Sequence, residues 1–480
     1  MQSFKGSLLE SGILVAGKWI HEGQPVEIKS PFSGKPIGAT FTGNSKHLEQ
    51  AISAASSSSA DLRQLASYQR KVALLKVASA IHQHADEFVR LMTLEAGKPV
   101  KAARVEVDRA VLTFTTAAEE SVRIYGECLP LDFIPSTQQR WGIVRRFPIG
   151  SIAAITPFNF PLNLVAHKLA PAMAVGCPVV LKPAPQTPFC ALLLATLIME
   201  AGWPAGALSV LPLSNEDAGR LVADERIKLL SFTGSAAVGW QLKRDAGKKR
   251  VVLELGGNAA VIVHSDADLE TAVSRCLSGS FTYAGQSCIS VQRILVHADI
   301  FDRFTAQMID GAGHLHIGDP SDEKTDIGPM IRASDVQRVE QWIKEAVFAG
   351  AKLLCGGTAK GSLIAPTLLS ATTPQMKVNC EEIFAPVATI EPYRDFEDAL
   401  DRTNQSRYGL QAGLFTRDVS LIFRAFERLD VGGVIVGDVP TFRVDPMPYG
   451  GVKDSGLGRE GIRYAIEAMT ERKLLVMAGR

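Results

Sequence analysis

Residues 151–182 read SIAAITPFNFPLNLVAHKLAPAMAVGCPVVLK, and this stretch decides the fold. A short apolar strand, Ser151–Ile155, gives way to a helical run, Leu162–Val175, and then to a second strand, Val179–Leu181. The rhythm continues downstream with helix Ala191–Ala201, strand Ala207–Leu211, helix Asp217–Ala223, strand Lys228–Phe232, helix Ala236–Ala246 and strand Val251–Leu255. Short apolar strands joined by crossover helices predict a parallel sheet covered on both faces, and a nucleotide is the usual guest of such a sheet. Upstream, Glu49–Gly97 has helical spacing and stops at Gly97-Lys98-Pro99. A second α/β run extends from Asp266 to about Leu429, with strands at Arg293–Val296 and Ala388–Ile390. Two alternating stretches far apart in the chain, Glu127–Trp141 and Arg472–Met477, predict an outlying β flap whose open edges a partner subunit covers.

Composition narrows the function. The 480 residues are 46% hydrophobic and 21% charged, enough apolar surface for at least two cores, and the net charge is +1 with no basic block. Nucleic acid and an anionic membrane are therefore poor partners, and a small molecule is the expected one. The longest apolar run, Phe189–Met199, is about half of the ~20 residues a spanning helix needs. The N-terminal patch Gly12–Gly17 is too brief for a secretory segment, so the mature chain is expected to start near Met1. Seven cysteines without a CxxC pair fit a reduced cytoplasm better than a disulfide framework or zinc cluster. His82/His84 and His314/His316 lack the further ligands of a metal site, and no metal is expected.

Four places carry candidate chemistry. Strand Lys228–Phe232 runs into Thr233-Gly234-Ser235 and a helix containing Gly239, a turn that can present backbone N–H groups to a phosphate or simply reverse the chain. Lys182 ends a strand where a doubly wound sheet binds its ligand, and it reads either as a ribose or phosphate contact or as a solvated lysine. Glu254 lies between two leucines and before Gly256-Gly257, a carboxylate suited to a cleft with its pKa tuned by burial. Cys288, in Gly285-Gln286-Ser287-Cys288, can be a thiolate nucleophile or an inert small hydrophobe.

Taken in order, TPFNFP (156–161), FTGSAAVG (232–239), LELGGN (253–258), GQSC (285–288), EEIFAP (381–386) and PYGGVKDSG (448–456) resemble the aldehyde dehydrogenase superfamily over nearly the whole chain. The resemblance implies an α/β fold with a Rossmann-like cofactor domain (1–124 and 146–254), an α/β catalytic domain (255–445) and a small β oligomerisation flap (125–145 and 463–480). It implies NAD(P)-dependent oxidation of an aldehyde to a carboxylic acid by a homodimer or homotetramer. Cys288 matches the nucleophile, Asn159 the oxyanion-holding amide and Glu254 the general base. Lys168 matches a position linked to proton traffic, with a helix-capping role equally open. Thr156, Pro157, Phe158, Lys182, Ala184, Pro185, Phe232, Thr233, Gly234, Ser235, Gly239, Leu255, Gly256, Glu382 and Phe384 match cofactor positions. Phe160, His167, Ser287, Ile289, Arg443 and Tyr449 fall at substrate positions.

Two departures bear on specificity. Pro185 stands where NAD-preferring members commonly carry Glu, so repulsion of a 2′-phosphate is absent and both NAD and NADP are expected cofactors. Ala385 replaces the usual Gly of that element. Arg443 can grip a carboxylate or phosphate of a small polar or anionic aldehyde, or hold its own loop through Asp438 or Asp445. Ser287 is not the Arg that some phosphate-binding members place before the nucleophile. A non-phosphorylating glyceraldehyde-3-phosphate dehydrogenase is the second reading. An inert binding protein on the same fold is a third, and the intact Cys288, Glu254, Asn159 and Glu382 speak against it.

Overall fold

The structure, a computed structural model, describes residues 3–5 and 8–478. Its first large sheet has eight strands in the order Gly456–Leu457, Arg250–Glu254, Ile227–Thr233, Ser151–Ile155, Val179–Lys182, Leu208–Val210, Ile13–Val15, Lys18–Ile20. From Arg250–Glu254 to Leu208–Val210 all neighbours are parallel, and antiparallel strands close both ends. All five residues of Ser151–Ile155 are buried, as the unbroken apolar reading of a strand covered on both faces requires. The pleat sends Ile152 and Ala154 into one core, with Leu62 and Phe114, and Ala153 and Ile155 into another, with Leu48 and Leu230. Chain order reverses between Ser151–Ile155 and Ile227–Thr233, and a ligand crevice opens at such a reversal.

The second large sheet runs Lys352–Cys355, Thr367–Ser370, Val387–Tyr393, Val291–His297, Ala259–Val263, Gln411–Phe415, Gly433–Val436, and only its first pair is antiparallel. Val261 and Ile294 enter one core while Ile262 and Leu295 enter the opposite one. The carboxyl ends of the first sheet, at Thr156, Lys182, Thr233 and Glu254, face loops that feed the amino ends of the second: Gly256-Gly257 before Ala259, Cys288 before Val291, Glu382 before Val387. The site forms on this seam.

The flap differs from the sequence reading in register. Tail strand Thr470–Ala478 pairs along its whole length with Arg140–Pro148, and Glu127–Pro130 adds a third strand. The alternating pattern had pointed to a segment ending at Trp141, but the pairing strand begins there. Three arginines and a proline within Arg140–Pro148 hide it, because a ribbon wet on both faces needs no apolar alternation. A four-stranded N-terminal sheet, Ser3–Lys5, Leu8–Glu10, Pro36–Thr42, Gln24–Lys29, had no counterpart in the sequence reading. Among the described residues no helix is long and apolar enough to cross a membrane.

Candidate active site

A cavity of about 280 Å³ lies on the seam. Asn159 reaches it from the loop after strand Ser151–Ile155, Glu254 from the last residue of Arg250–Glu254, and Cys288 from the loop before Val291–His297. The loop that leads to Cys288 is unusual in its backbone. Tyr283 and Ala284 both take left-handed φ values of +53°, conformations that cost energy in non-glycine residues and cluster at functional sites. Gly285 follows, and a Cβ there would meet the Ala385 carbonyl oxygen at 2.3 Å.

Cys288 Sγ lies 3.1 Å from the Tyr449 hydroxyl, and burial pushes the thiol up to about 12. Asn159 Nδ2 donates to the Gln286 carbonyl oxygen at 2.9 Å while its Oδ1, though buried, has no partner. This bond ties a loop of the first sheet to the loop of Cys288 on the second. Both Glu254 oxygens are buried without a hydrogen bond. Burial first, and the nearby charge of Glu460 second, hold this carboxyl well above the usual range. Gly450 makes room for it, since a Cβ there would come within 2.7 Å of Glu254 Oε1.

Behind these groups sits a buried charge network. Lys168 Nζ donates to Thr233 Oγ1 at 2.8 Å and Ser231 Oγ at 3.0 Å, and lies 3.4 Å from Glu460 Oε1. Lys168 therefore bridges helix Asn163–Val175 to strand Ile227–Thr233 and caps no helix end. Glu460 also receives Arg443 Nη2 at 3.0 Å. Although burial opposes its charge, Lys168 first, then His167 and Arg443, bring Glu460 down to about 2.

Arg443 departs from both of its expected loop partners. Asp438 pairs with Arg275, and Asp445 accepts from Arg109 at 2.8 Å and bonds His167 at 2.7 Å, leaving Glu460 as the partner of Arg443. The guanidinium lies 3.6 Å from the centroid of the Tyr449 ring. Its side chain is 7% exposed, and Nε is buried with no acceptor. His167 is 2% exposed and does not line the cavity; it stands behind Arg443, bonded to Asp445. Phe160 and Ser287 line the cavity, and Ile289 packs with Tyr449 and Leu410 beside the thiol.

On the cofactor side, Thr233, Gly234, Ser235, Pro157, Phe158, Leu255, Gly256, Glu382 and Phe384 all line the same cavity. Helix Ala236–Asp245 begins there, and its N-cap Ser235 makes no side-chain cap bond, so the first N–H groups face the cavity's rim unclaimed by that hydroxyl. Glu382 accepts the Gly257 N–H at 2.9 Å, and burial raises its carboxyl to about 7. A Cβ on Gly256 would strike Glu382 Oε2 at 2.2 Å, so only glycine leaves this cradle open. Phe384 sits at φ +50° with its ring edge-on to Phe158 at 6.0 Å. These features fit a dinucleotide: donors for the pyrophosphate, a carboxylate for ribose hydroxyls and aromatic rings beside the thiol.

Lys182, Thr156 and Ala184 are buried at the strand ends, with the Thr156 N–H donating to the Lys182 carbonyl oxygen at 3.1 Å, while Pro185 is exposed. Phe232 and Gly239 serve packing, since a Cβ on Gly239 would meet Leu255 Cδ2 at 2.3 Å. The sequence reading had not singled out Glu460, Arg109, Arg332 or Arg338, all lining the cavity, and had named Asp445 only as a loop partner of Arg443. A larger groove of about 1050 Å³, between Pro99–Val105 and the helices Leu269–Phe281 and Phe301–Gly313, carries none of the motif residues.

The family model described as "Aldehyde dehydrogenase family" matches residues 19–475. The chain belongs to the aldehyde dehydrogenase family. It is thus an oxidoreductase acting on aldehydes with NAD or NADP as acceptor. This aldehyde dehydrogenase is 43% identical over 467 residues to a 3-sulfolactaldehyde dehydrogenase of Priestia aryabhattai, covering 97% of this chain and 98% of that one. It superposes with a TM-score of 0.96 and 44% identity on aldehyde dehydrogenase 21 from Physcomitrella patens in complex with the reaction product succinate, over 98% of both chains. Glyceraldehyde-3-phosphate dehydrogenase from Methanocaldococcus jannaschii complexed with NADP gives 0.92 and 38%, over 96% of this chain and 100% of that one.

Proposed function

We propose that the enzyme oxidises a small anionic aldehyde to its carboxylic acid, with the acidic head group read by Arg443. The observation that carries this reading is the nine-tenths-buried Arg443 guanidinium, which shares a cavity with Cys288 and has an Nε without an acceptor. An unpaired buried donor on a cation is costly unless a ligand's oxygen fills it. Arg109, 22% exposed on the same wall, adds positive potential. The relatives support the choice: the 3-sulfolactaldehyde and succinate of their names carry an acidic group on a short chain.

Burial keeps the Cys288 thiol neutral at rest, so its proton passes to water in the cavity as sulfur attacks the aldehyde carbon. The resulting thiohemiacetal oxyanion is held by Asn159 Nδ2 and the Cys288 backbone N–H. Phe384 and Glu382 would hold a nicotinamide cofactor, which when bound would accept the hydride; loss of hydride from the adduct leaves a thioester on Cys288. Glu254, as the carboxylate, takes a proton from the water that cleaves this thioester and passes it to the departing sulfur, freeing acid and thiol; burial, which raises its pKa, makes that carboxylate the stronger base. With Pro185 in place of a carboxylate and Lys182 beside it, NADP is accepted along with NAD. The exposed strand Thr470–Ala478 serves assembly into a homodimer or homotetramer in the cytoplasm.

The test is reduced-cofactor absorbance for succinate semialdehyde, sulfolactaldehyde, glyceraldehyde 3-phosphate, lactaldehyde and propanal, with NAD and NADP, on the parent and on Arg443→Met. Carboxylate or sulfonate aldehydes should win and lose selectively in the variant. A win by glyceraldehyde 3-phosphate favours the second reading, and a win by neutral aldehydes with an indifferent variant overturns the role of Arg443.

A further inference from the structure

Beneath the loop that carries Asn159 lies a second buried ion pair, Lys98 with Glu106, whose side chains are 1% and 0% exposed. Glu106 gives one oxygen to Lys98 and the other to two backbone donors, the N–H groups of Leu162 at 2.9 Å and Asn163 at 3.0 Å. These lie at the start of helix Asn163–Val175, whose own N-cap residue offers no side-chain bond. Glu106 is therefore that helix's cap, delivered from helix Val100–Glu120. Lys98 Nζ lies 3.7 Å from the centroid of the Phe160 ring and 4.5 Å from that of Tyr283. The two rings meet edge-on at 6.4 Å, and the Tyr283 hydroxyl donates to the Ala96 carbonyl oxygen at 3.1 Å. Phe160 adjoins Asn159, and Tyr283 begins the left-handed turn that delivers Cys288.

A buried ion pair is a poor source of stability, because desolvating two charges offsets their attraction. Its geometry suggests another purpose. We propose that Glu106, as acceptor of the Leu162 and Asn163 N–H groups, and Lys98, by the packing of its side chain against the Phe160 and Tyr283 rings and not by its charge, are positioning residues that hold the Asn159 loop and the Cys288 loop at a fixed separation, so that the oxyanion donor and the nucleophile stay in register. Neither touches substrate or cofactor. The inference rests on the roles proposed above for Asn159 and Cys288.

Two double variants separate this from a purely structural role. Lys98→Met with Glu106→Gln keeps a side-chain oxygen for the two N–H donors and an unbranched chain between the rings; Lys98→Met with Glu106→Leu removes the acceptor. Glu106→Asp, which keeps the charge but withdraws it from the donors, serves if the Leu variant does not fold. Measured are kcat, aldehyde KM, cofactor Kd from fluorescence quenching, and the labelling rate of Cys288 with iodoacetamide followed by mass spectrometry. The expected result is a fall in kcat of about 10- to 100-fold and altered Cys288 labelling in the Leu or Asp variant, with cofactor Kd unchanged, and a kcat within about fivefold of the parent in the Gln variant. Near-parental kcat in the folded Leu or Asp variant overturns the inference, as does an equal loss in the Leu and Gln variants. Asn159→Ala and Cys288→Ala run alongside: if they keep turnover, the underlying reading fails instead.

Discussion

Replacing Asn159 with Ala removes two things that the structure separates. Nδ2 carries two protons; one is committed to the Gln286 carbonyl oxygen at 2.9 Å, and the other is free for the oxyanion. Loss of one oxyanion donor costs about 3–4 kcal/mol of transition-state stabilisation, so kcat should fall about 100- to 1000-fold. Loss of the first bond leaves a carbonyl oxygen short of a donor, about 1–3 kcal/mol of stability, which lowers the melting temperature without unfolding a chain of this size. The aldehyde KM should move little, because the neutral carbonyl gains less from the donor than the oxyanion does. The assay is steady-state reduced-cofactor absorbance with circular dichroism on the same preparation. A folded variant with kcat within tenfold of the parent would refute the oxyanion role. A variant whose KM rises while kcat holds would instead place Asn159 in ground-state binding.

Glu254→Gln should keep one turnover of reduced cofactor as a burst and lose steady-state turnover, since only thioester hydrolysis needs the base. The same variant carries a stability signature. Folding raises the Glu254 pKa above its ordinary 4.5, so above that pH the unfolded chain releases a proton that the native one retains, and native stability is eroded as pH rises. The Gln variant should therefore gain more in melting temperature at about pH 8 than at about pH 4; an equal gain at both counts against the shift. Gly256→Ala should drive Glu382 from the Gly257 N–H and raise cofactor Kd about 10- to 100-fold, and titration of protein fluorescence reads it directly. Pro185→Glu should lower kcat/KM for NADP while sparing NAD, and unchanged NADP use would remove Pro185 from cofactor choice.

The first sheet was largely legible because its strands are buried on both faces. Val179–Leu181 reads as an apolar run and Ile227–Thr233 as one interrupted by Lys228 and Ser231, and the glycine turns beside Thr233 and Glu254 mark the ligand end. Cys288, Glu254, Asn159 and Glu382 each sit in a short local motif, so this wall of the cavity could be assembled from the chain alone. Glu460 could not. It closes on Arg443, Lys168 and His167 from separate segments, and a pairing of that kind is set by tertiary placement with no local pattern. For the same reason Arg443 was matched to Asp438 and Asp445, its near neighbours in sequence. Lys98 was read only as part of a helix stop, and its ring and carboxylate partners come from residues 106, 160 and 283.

The seam between the two sheets has a consequence for inactivation. Asn159 and Glu254 ride on one slab and Cys288 and Glu382 on the other, joined at the centre by the Asn159–Gln286 bond. Heating that loosens the docking of the slabs parts Asn159 from Cys288 while each slab keeps its secondary structure. Turnover then fades before the far-ultraviolet signal does, and the gap between those two temperatures gauges how firmly the halves are clasped.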